Sequence, residues 1–213
     1  MKIFVVIPAF NEEKMIKNVV KELLIHVKNI VVVNDSSTDN TVRILKSLPI
    51  KLITNTTNIG YTKSLEKGIS YAVNVGADYV ITFDADGQHI AEDVAKFTEI
   101  IEKFKPDLIL GVRSDYNRFM EHIWSYYTRF KYGFTDPLCG LKAYKRNILL
   151  KYPVLEKHYT IGTEIIFKAL KDGASFKEVP VKIKKRSTVS RFGNQFVGNW
   201  LEFKGLVSVI VST

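Results

Sequence analysis

The sequence predicts an α/β protein built on a mostly parallel sheet with helices on both faces. Three observations predict it. Short runs at residues 3–7, 30–33, 79–83 and 108–112 are apolar and mostly rich in β-branched residues, without the alternation of a half-solvated strand, and 50–53 reads as a further strand. Stretches with apolar residues every three or four positions lie between them. Gly, Pro and short polar residues mark the junctions. Strand–helix alternation needs crossover connections, and these cover a parallel sheet on both sides.

The elements follow in order. After the first strand, Asn11 is the expected N-cap of a helix, with Glu12 and Glu13 in its first turn. Met15, Ile16, Val19, Val20, Leu23, Leu24 and Val27 form its apolar face. Residues 35–39 make a polar turn, and Val42, Leu45 and Leu48 mark a short helix ending at Pro49. Residues 60–75 are helical, with Gly76 as the stop, and 91–104 form the next helix. Beyond residue 113 the pattern changes. Residues 117–134 form a helix in which Arg118, Arg129 and Lys131 stand among seven aromatic residues, a composition suited to an interface with an anionic layer. Asp136, before a Pro and a Gly, falls on a turn or loop. Residues 162–170 are helical, and 176–183 are an edge strand because Pro180 cannot donate to a ladder. In the tail, Phe192, Phe196, Trp200, Phe203, Val207 and Ile210 recur at helical spacing.

Composition bounds the function. The 213 residues carry a net charge of +9, unevenly placed: thirteen Lys or Arg stand against four Asp or Glu between Lys142 and Arg191. Such a basic half expects an anionic partner such as a nucleotide or a lipid phosphate. The single Cys139 has no internal disulfide partner, which fits a reducing compartment. The N-terminus does not read as a signal peptide, and no run of about 18 apolar residues is present to span a bilayer. The apolar stretch at 206–211 is what a chain cut just before a membrane segment would show. GxGxxG and GxxxxGK[ST] are missing, which disfavours hydride transfer and P-loop chemistry. Zinc-type CxxC and HExxH patterns and nucleic-acid motifs are also missing.

The candidate site begins at YVITFDADGQH. Asp84, Asp86 and Gln88 fall at alternate positions where a strand ends, so they share a face. Two carboxylates so close are costly unless a cation lies between them. Mg²⁺ and Mn²⁺ take such oxygen ligands and fill open positions with substrate phosphates. The alternative is a polar turn pivoting on Gly87. In open parallel sheets ligands bind at the carboxyl ends of strands, and there this sequence places Pro8, Ala9, Asn11, Glu12, Asn34, Asp35, Asn55, Asp84, Asp86 and Arg113.

The ordered set VVIPAFNEE, VVVNDSSTDNT, NTTNIGYTKSLEKGI, FDADGQH, TDPLCGLKAYKR and EVPVKIKKRSTVSRFG resembles the family 2 glycosyltransferases of GT-A fold, and within them the dolichyl-phosphate mannose synthase and polyprenyl-phosphate glycosyltransferase branch. The resemblance implies a Rossmann-like GT-A domain over 1–191, with a nucleotide-binding half at 1–113, an acceptor-side half at 114–191, and an amphipathic tail at 192–213. It implies that Pro8, Ala9 and Glu12 line the base and ribose pocket and that Asp35 hydrogen-bonds the base. Asn58 and Lys63 would lie near the nucleotide. Asp84 would face the ribose and metal, and Asp86 with Gln88 would hold the metal and donor diphosphate. Asp136 would stand as the catalytic carboxylate beside the acceptor. Arg186, Ser190 and Arg191 match a basic loop that closes on the phosphates, and Arg113, Arg118, Arg129 and Lys142 are the further cations expected for phosphate or acceptor.

The activity so implied is inverting, metal-dependent transfer of a hexose from a UDP- or GDP-sugar to a polyprenyl phosphate, by an enzyme peripheral to the cytoplasmic face of a membrane, with Mg²⁺ or Mn²⁺ as cofactor and no nucleic-acid partner. A saccharide or protein acceptor, or a non-catalytic nucleotide- or membrane-binding relative, stay as alternatives. Because a phosphate monoester is mostly ionised at neutral pH, Asp136 is expected to orient the acceptor or Lys142, whereas an alcohol acceptor needs a base. Two departures from the family wording stand out: Asn34-Asp35-Ser36-Ser37 where Asp-Asp-Gly-Ser is usual, and Tyr61-Thr62-Lys63 after Gly60 where relatives have a Gly-rich run.

Overall fold

The computed structural model describes residues 1–116, 118–155, 162–184 and 195–212. Its strands are β1 (Ile3–Ala9), β2 (Asn29–Asn34), β3 (Lys51–Thr54), β4 (Tyr79–Thr82), β5 (Leu108–Arg113), β6 (Lys142–Lys145) and β7 (Phe176–Val181). They form one sheet in the order β3-β2-β1-β4-β6-β5-β7. Pairings are parallel except those of β6, which runs antiparallel to both β4 and β5. The helices are α1 (Ile16–His26), α2 (Thr41–Leu45), α3 (Tyr61–Asn74), α4 (Ala91–Phe104), α5 (Phe119–Tyr132), α6 (Arg146–Lys151), α7 (Thr163–Lys171) and α8 (Gln195–Ser212).

Successive side chains of a strand point to opposite faces, and the cores divide accordingly. Ile3, Val5 and Ile7 of β1 with Ile30 and Val32 of β2 pack on one face against α1 and α4. Phe4, Val6, Val31 and Val33 pack on the other against α3, with Trp124 of α5 and Phe167 of α7 further along. All seven residues of β1 are buried, which explains their uninterrupted apolar run.

Three local expectations change. Asn11 does not cap α1, which begins at Ile16; Asn11 adopts a left-handed φ of 54°. Its Oδ1 accepts from the Thr38 backbone N–H at 2.8 Å and its own N–H donates to Ser37 Oγ at 3.0 Å. The residue therefore ties the first strand-end loop to the second, and Asn tolerates this backbone at small cost. Strand β6 was not anticipated from its four residues, Lys-Ala-Tyr-Lys, because its pairing is entirely non-local. The tail helix packs on α5 through buried Gly198, Glu202, Gly205 and Leu206. Trp200, Phe203 and Val207, expected to form its apolar face, point to solvent. Proline-bearing β7 does lie at the sheet edge.

The direction of β6 matters most for the site. Lys142 at its start pairs with Thr82 at the end of β4. An antiparallel strand thus delivers the 136–142 loop to the edge where β1, β2, β4 and β5 end.

Candidate active site

At that edge β1 ends at Ala9 and β2 at Asn34, and the Asp35 N–H donates to the Ala9 carbonyl at 2.8 Å. The Asp35 carboxylate is buried and serves the loop after β3. Its Oδ1 accepts from Asn55 Nδ2 and the Ile59 N–H, both at 2.9 Å, and its Oδ2 from the Gly60 N–H at 2.8 Å. Gly60 has φ +89°, and the three bonds fix the bend that starts α3. Asn58 and Lys63 stand exposed on this bend and on the first turn of α3. Glu12 is buried, and its N–H donates to Thr41 Oγ1 at 2.9 Å.

Asp84 follows β4. Tyr61 Oη donates to its Oδ1 at 2.8 Å, and His89 Nε2 stands 3.5 Å from its Oδ2. The backbone of Gly140 lies so close that any Cβ there would overlap Asp84 Oδ2. Asp86 is 6% exposed, and its Oδ1 accepts the Gln88 N–H at 3.0 Å across a turn whose Gly87 has φ +74°. The Gln88 carbonyl accepts the Lys184 N–H at 2.8 Å, which brings the chain leading to the basic segment alongside the acidic turn.

Asp136 is 1% exposed and is gripped by Arg113 at the end of β5. Its Oδ2 accepts from Arg113 Nε at 2.8 Å and from the Arg113 backbone N–H at 3.0 Å; its Oδ1 accepts from Nη2 at 2.9 Å. Arg113 Nη1 reaches Glu121 Oε1 at 3.4 Å. Burial opposes the charge on this guanidinium, but the bonds it donates to Asp136 and the nearby Glu121 carboxylate outweigh it and hold Arg113 charged. Lys142 Nζ is buried and donates to the Pro137 carbonyl at 2.8 Å, where Thr163 Oγ1 also donates at 2.6 Å. Two donors on one carbonyl pin the loop that carries Asp136. Cys139 is fully buried, and burial with nearby Asp136 pushes its thiol up to about 12, so it is a packing residue.

A match to the protein-family model described as Glycosyl transferase family 2 covers residues 4–170. The chain belongs to glycosyl transferase family 2. Among curated relatives, it is 31% identical to the UDP-N-acetylglucosamine–dolichyl-phosphate N-acetylglucosaminyltransferase of Methanococcus voltae, across 92% of this chain and 91% of that one. It is 24% identical to the polyprenol monophosphomannose synthase of Mycolicibacterium smegmatis, across 85% and 77%. Among solved structures, glucosyl-3-phosphoglycerate synthase of Mycobacterium tuberculosis, in complex with Mn²⁺, UDP and glucosyl-3-phosphoglycerate, superposes with a TM-score of 0.78 at 16% identity, over 99% of this chain and 79% of that one. That likeness shows the fold, a GT-A glycosyltransferase sheet flanked by helices.

Within this family 2 domain, the structure brings Pro8, Ala9, Glu12, Asp35, Asp84, Asp86, Gln88, Arg113, Asp136 and Lys142 to one sheet edge. It places the other expected cations elsewhere. Arg118 Nη1 is bound to Glu202 Oε1 of α8 at 2.9 Å, and Arg129 is exposed on α5. Arg186, Ser190 and Arg191 lie outside the described residues. Asp136 holds Arg113, a pairing the sequence did not anticipate because the two stand 23 residues apart. No local signal in the sequence marks Thr163, Glu121 or Glu202 as neighbours of the site. Tyr61 was visible only as a departure from a Gly-rich pattern, and Gly140 only as one glycine in a turn.

Among the described residues, no three His, Cys, Asp or Glu side chains converge as a ready-made metal cage. Asp84, Asp86 and Gln88 nonetheless supply two carboxylates and an amide oxygen, a donor set that fits a hard divalent cation completing its shell with substrate oxygens.

Proposed function

We propose that this family 2 glycosyltransferase moves a sugar from a UDP-sugar to the phosphate of a polyprenyl phosphate, by a single inverting displacement in the presence of a divalent cation. The observation that carries the acceptor assignment is the Arg113–Asp136 clamp. Arg113 takes three of the four acceptor sites of Asp136 with two side-chain bonds and one backbone bond, and in this reading the carboxylate serves as the holder of the guanidinium and not as the base. Arg113 has five N–H donors, of which Nε, Nη1 and Nη2 each give one to Asp136 or Glu121. The remaining two suit a phosphate, which is already ionised and needs no proton removed. The curated relatives whose names specify dolichyl or polyprenol phosphate support the same acceptor class. The M. voltae name and the UDP-bound neighbour support a UDP donor.

In this reading the acceptor's phosphate oxygen attacks the anomeric carbon opposite the nucleotide. The new carbon–oxygen bond forms as the bond to the diphosphate breaks, and the electron pair departs with UDP. A divalent cation held by Asp86, with Asp84 and Gln88 beside it, would neutralise charge on the leaving diphosphate. Asp84 is aimed by Tyr61, His89 and Gly140. Asp35 orders the 55–60 bend beneath the nucleotide, leaving part of its acceptor capacity for the base. Arg186 and Arg191 are proposed to add positive charge at the phosphates, and Ser190 a hydrogen bond.

The same reading places the enzyme on the cytoplasmic surface of a membrane. No helix among the described residues is long and apolar enough to cross one. Phe119, Tyr126 and Phe130 nevertheless line an outer face of α5, with Phe130 87% exposed. Trp200, Phe203 and Val207 line the outer face of neighbouring α8, with Lys204 Nζ 5.3 Å from the Trp200 ring centroid. Exposed rings beside Arg129, Lys131 and Lys204 match the headgroup layer of an anionic leaflet.

A screen of UDP- and GDP-sugars with Mg²⁺ or Mn²⁺, reading nucleoside diphosphate release in the presence of polyprenyl phosphate, tests the donor. Release from a UDP-sugar is expected. Release only from GDP-sugars would reassign the base, and no release from either would favour a non-catalytic relative.

A further inference from the structure

We propose that α8 is a positioning element for the acceptor end of the site, acting through a buried chain of polar contacts, Glu202–Arg118–Glu121–Arg113–Asp136, in which ion pairs flank one main-chain hydrogen bond from Arg118 to Glu121. The proposal rests on the acceptor role given to Arg113 above. Glu202 of α8 accepts from Arg118 Nη1 at 2.9 Å. Glu121 caps the start of α5, its Oε2 accepting from the Arg118 backbone N–H at 3.4 Å, so this link runs through the main chain of Arg118. Glu121 Oε1 meets Arg113 Nη1 at 3.4 Å, and Arg113 forks onto Asp136. The side chains are 13%, 5%, 12% and 1% exposed from Arg118 to Asp136, and that of Glu202 is 9%. Solvent therefore screens little of the chain, and removing one charge is felt by the next.

Two features set this chain apart from ordinary fastening of a tail helix. The first is that α8 already has neutral fasteners on α5: the Met120 N–H donates to Asn199 Oδ1 at 3.2 Å and Trp124 Nε1 to the Glu202 carbonyl at 3.0 Å. The second is that Glu202 is a poor choice for stability. Its Oε2 is buried without a hydrogen-bond partner, and burial followed by repulsion from Glu121 pushes its carboxyl above the usual range. Gly198, one turn earlier on α8, has no Cβ, which lets the Arg118 guanidinium pass; any side chain there would overlap Arg118 Nε. A helix that carries a costly carboxylate and a gap for its partner is shaped to hold Arg118, and through Glu121 to hold Arg113.

The test compares the full-length wild type with Glu202→Gln and Gly198→Ala. Glu202→Gln keeps shape and one acceptor oxygen but removes the charge, so Arg118 keeps a hydrogen bond and loses its counter-charge. With polyprenyl phosphate as acceptor, its KM should rise about tenfold while the KM for the UDP-sugar stays within twofold. Gly198→Ala, which displaces Arg118 without touching any charge, should raise the acceptor KM in the same direction. A readout independent of turnover is the Nε–Hε NMR signal of Arg113, which should shift and lose exchange protection in Glu202→Gln. If the Arg113 signal and the acceptor KM are both unchanged in Glu202→Gln, the coupling is overturned and Glu202 is only a fastener. If the Arg113 signal moves but no sugar reaches a lipid phosphate from wild type, the charge chain stands and the acceptor reading fails.

Discussion

At the scale of single residues, the site is held by groups that do no chemistry themselves. Asp84 is fixed on three sides by Tyr61, His89 and Gly140. Gly140→Ala is expected to displace the Asp84 carboxylate and lower kcat/KM by at least tenfold, measured with saturating acceptor and varied UDP-sugar. Asp86→Ala should abolish cation-dependent nucleotide binding while the circular-dichroism spectrum stays native; unchanged nucleotide affinity by calorimetry, or full activity in excess chelator, would remove Asp86 from the metal site. Asp35→Ala withdraws an acceptor from three loop donors, so it should cost about 1–3 kcal/mol of stability as well as nucleotide affinity. Calorimetry and thermal unfolding on one sample separate the two effects.

At the scale of elements, what the sequence revealed and what it hid divide along physical lines. The inner parallel strands β1, β2 and β4 announce themselves because both faces are buried, so nearly every position is apolar. The Asp84–Asp86 turn is legible because the strand end and the alternate spacing are local properties. Strand β6 is not legible, since four residues carry no period and their partners stand 32 to 66 positions away. With β6 went the position of Asp136 against Arg113: the sequence points to Lys142 as the cation Asp136 serves, and the structure pairs it with Arg113. The Asn11 cap failed for a similar reason: Ser37 and Thr38 compete for the same side chain and backbone across 26 or 27 residues.

The loop that β6 anchors makes a further prediction at this scale. Thr163→Val removes one of two donors from the Pro137 carbonyl and should cost about 0.5–1.5 kcal/mol. Because Lys142 still holds the carbonyl, kcat should fall only severalfold. Lys142→Met leaves a buried methylene chain but no donor, and should lower kcat further with a comparable loss of stability. Equal kcat for both variants and wild type would show that the loop needs neither pin.

At the scale of the whole molecule, two helices carry opposite roles on opposite faces. The inner faces of α5 and α8 hold the charge chain to Arg113, and their outer faces present rings and cations to solvent. Binding to liposomes of anionic lipid is expected to weaken when Phe130 and Trp200 are replaced by Ser, and to weaken with salt because each basic residue at the surface contributes on the order of 1 kcal/mol. Sedimentation at low and high salt reads this directly. Retention in the supernatant at low salt would separate the exposed rings from any membrane role.

In this account a buried guanidinium, clamped by the Asp136 carboxylate, selects a phosphate acceptor that needs no base. The measurement that tests it most directly offers polyprenyl phosphate, the corresponding polyprenol and a soluble saccharide side by side, with one UDP-sugar and Mg²⁺. Labelled sugar should enter polyprenyl phosphate and neither alcohol, and Arg113→Met should abolish that transfer while nucleotide still binds. Faster labelling of the polyprenol or the saccharide than of the phosphate would contradict the account.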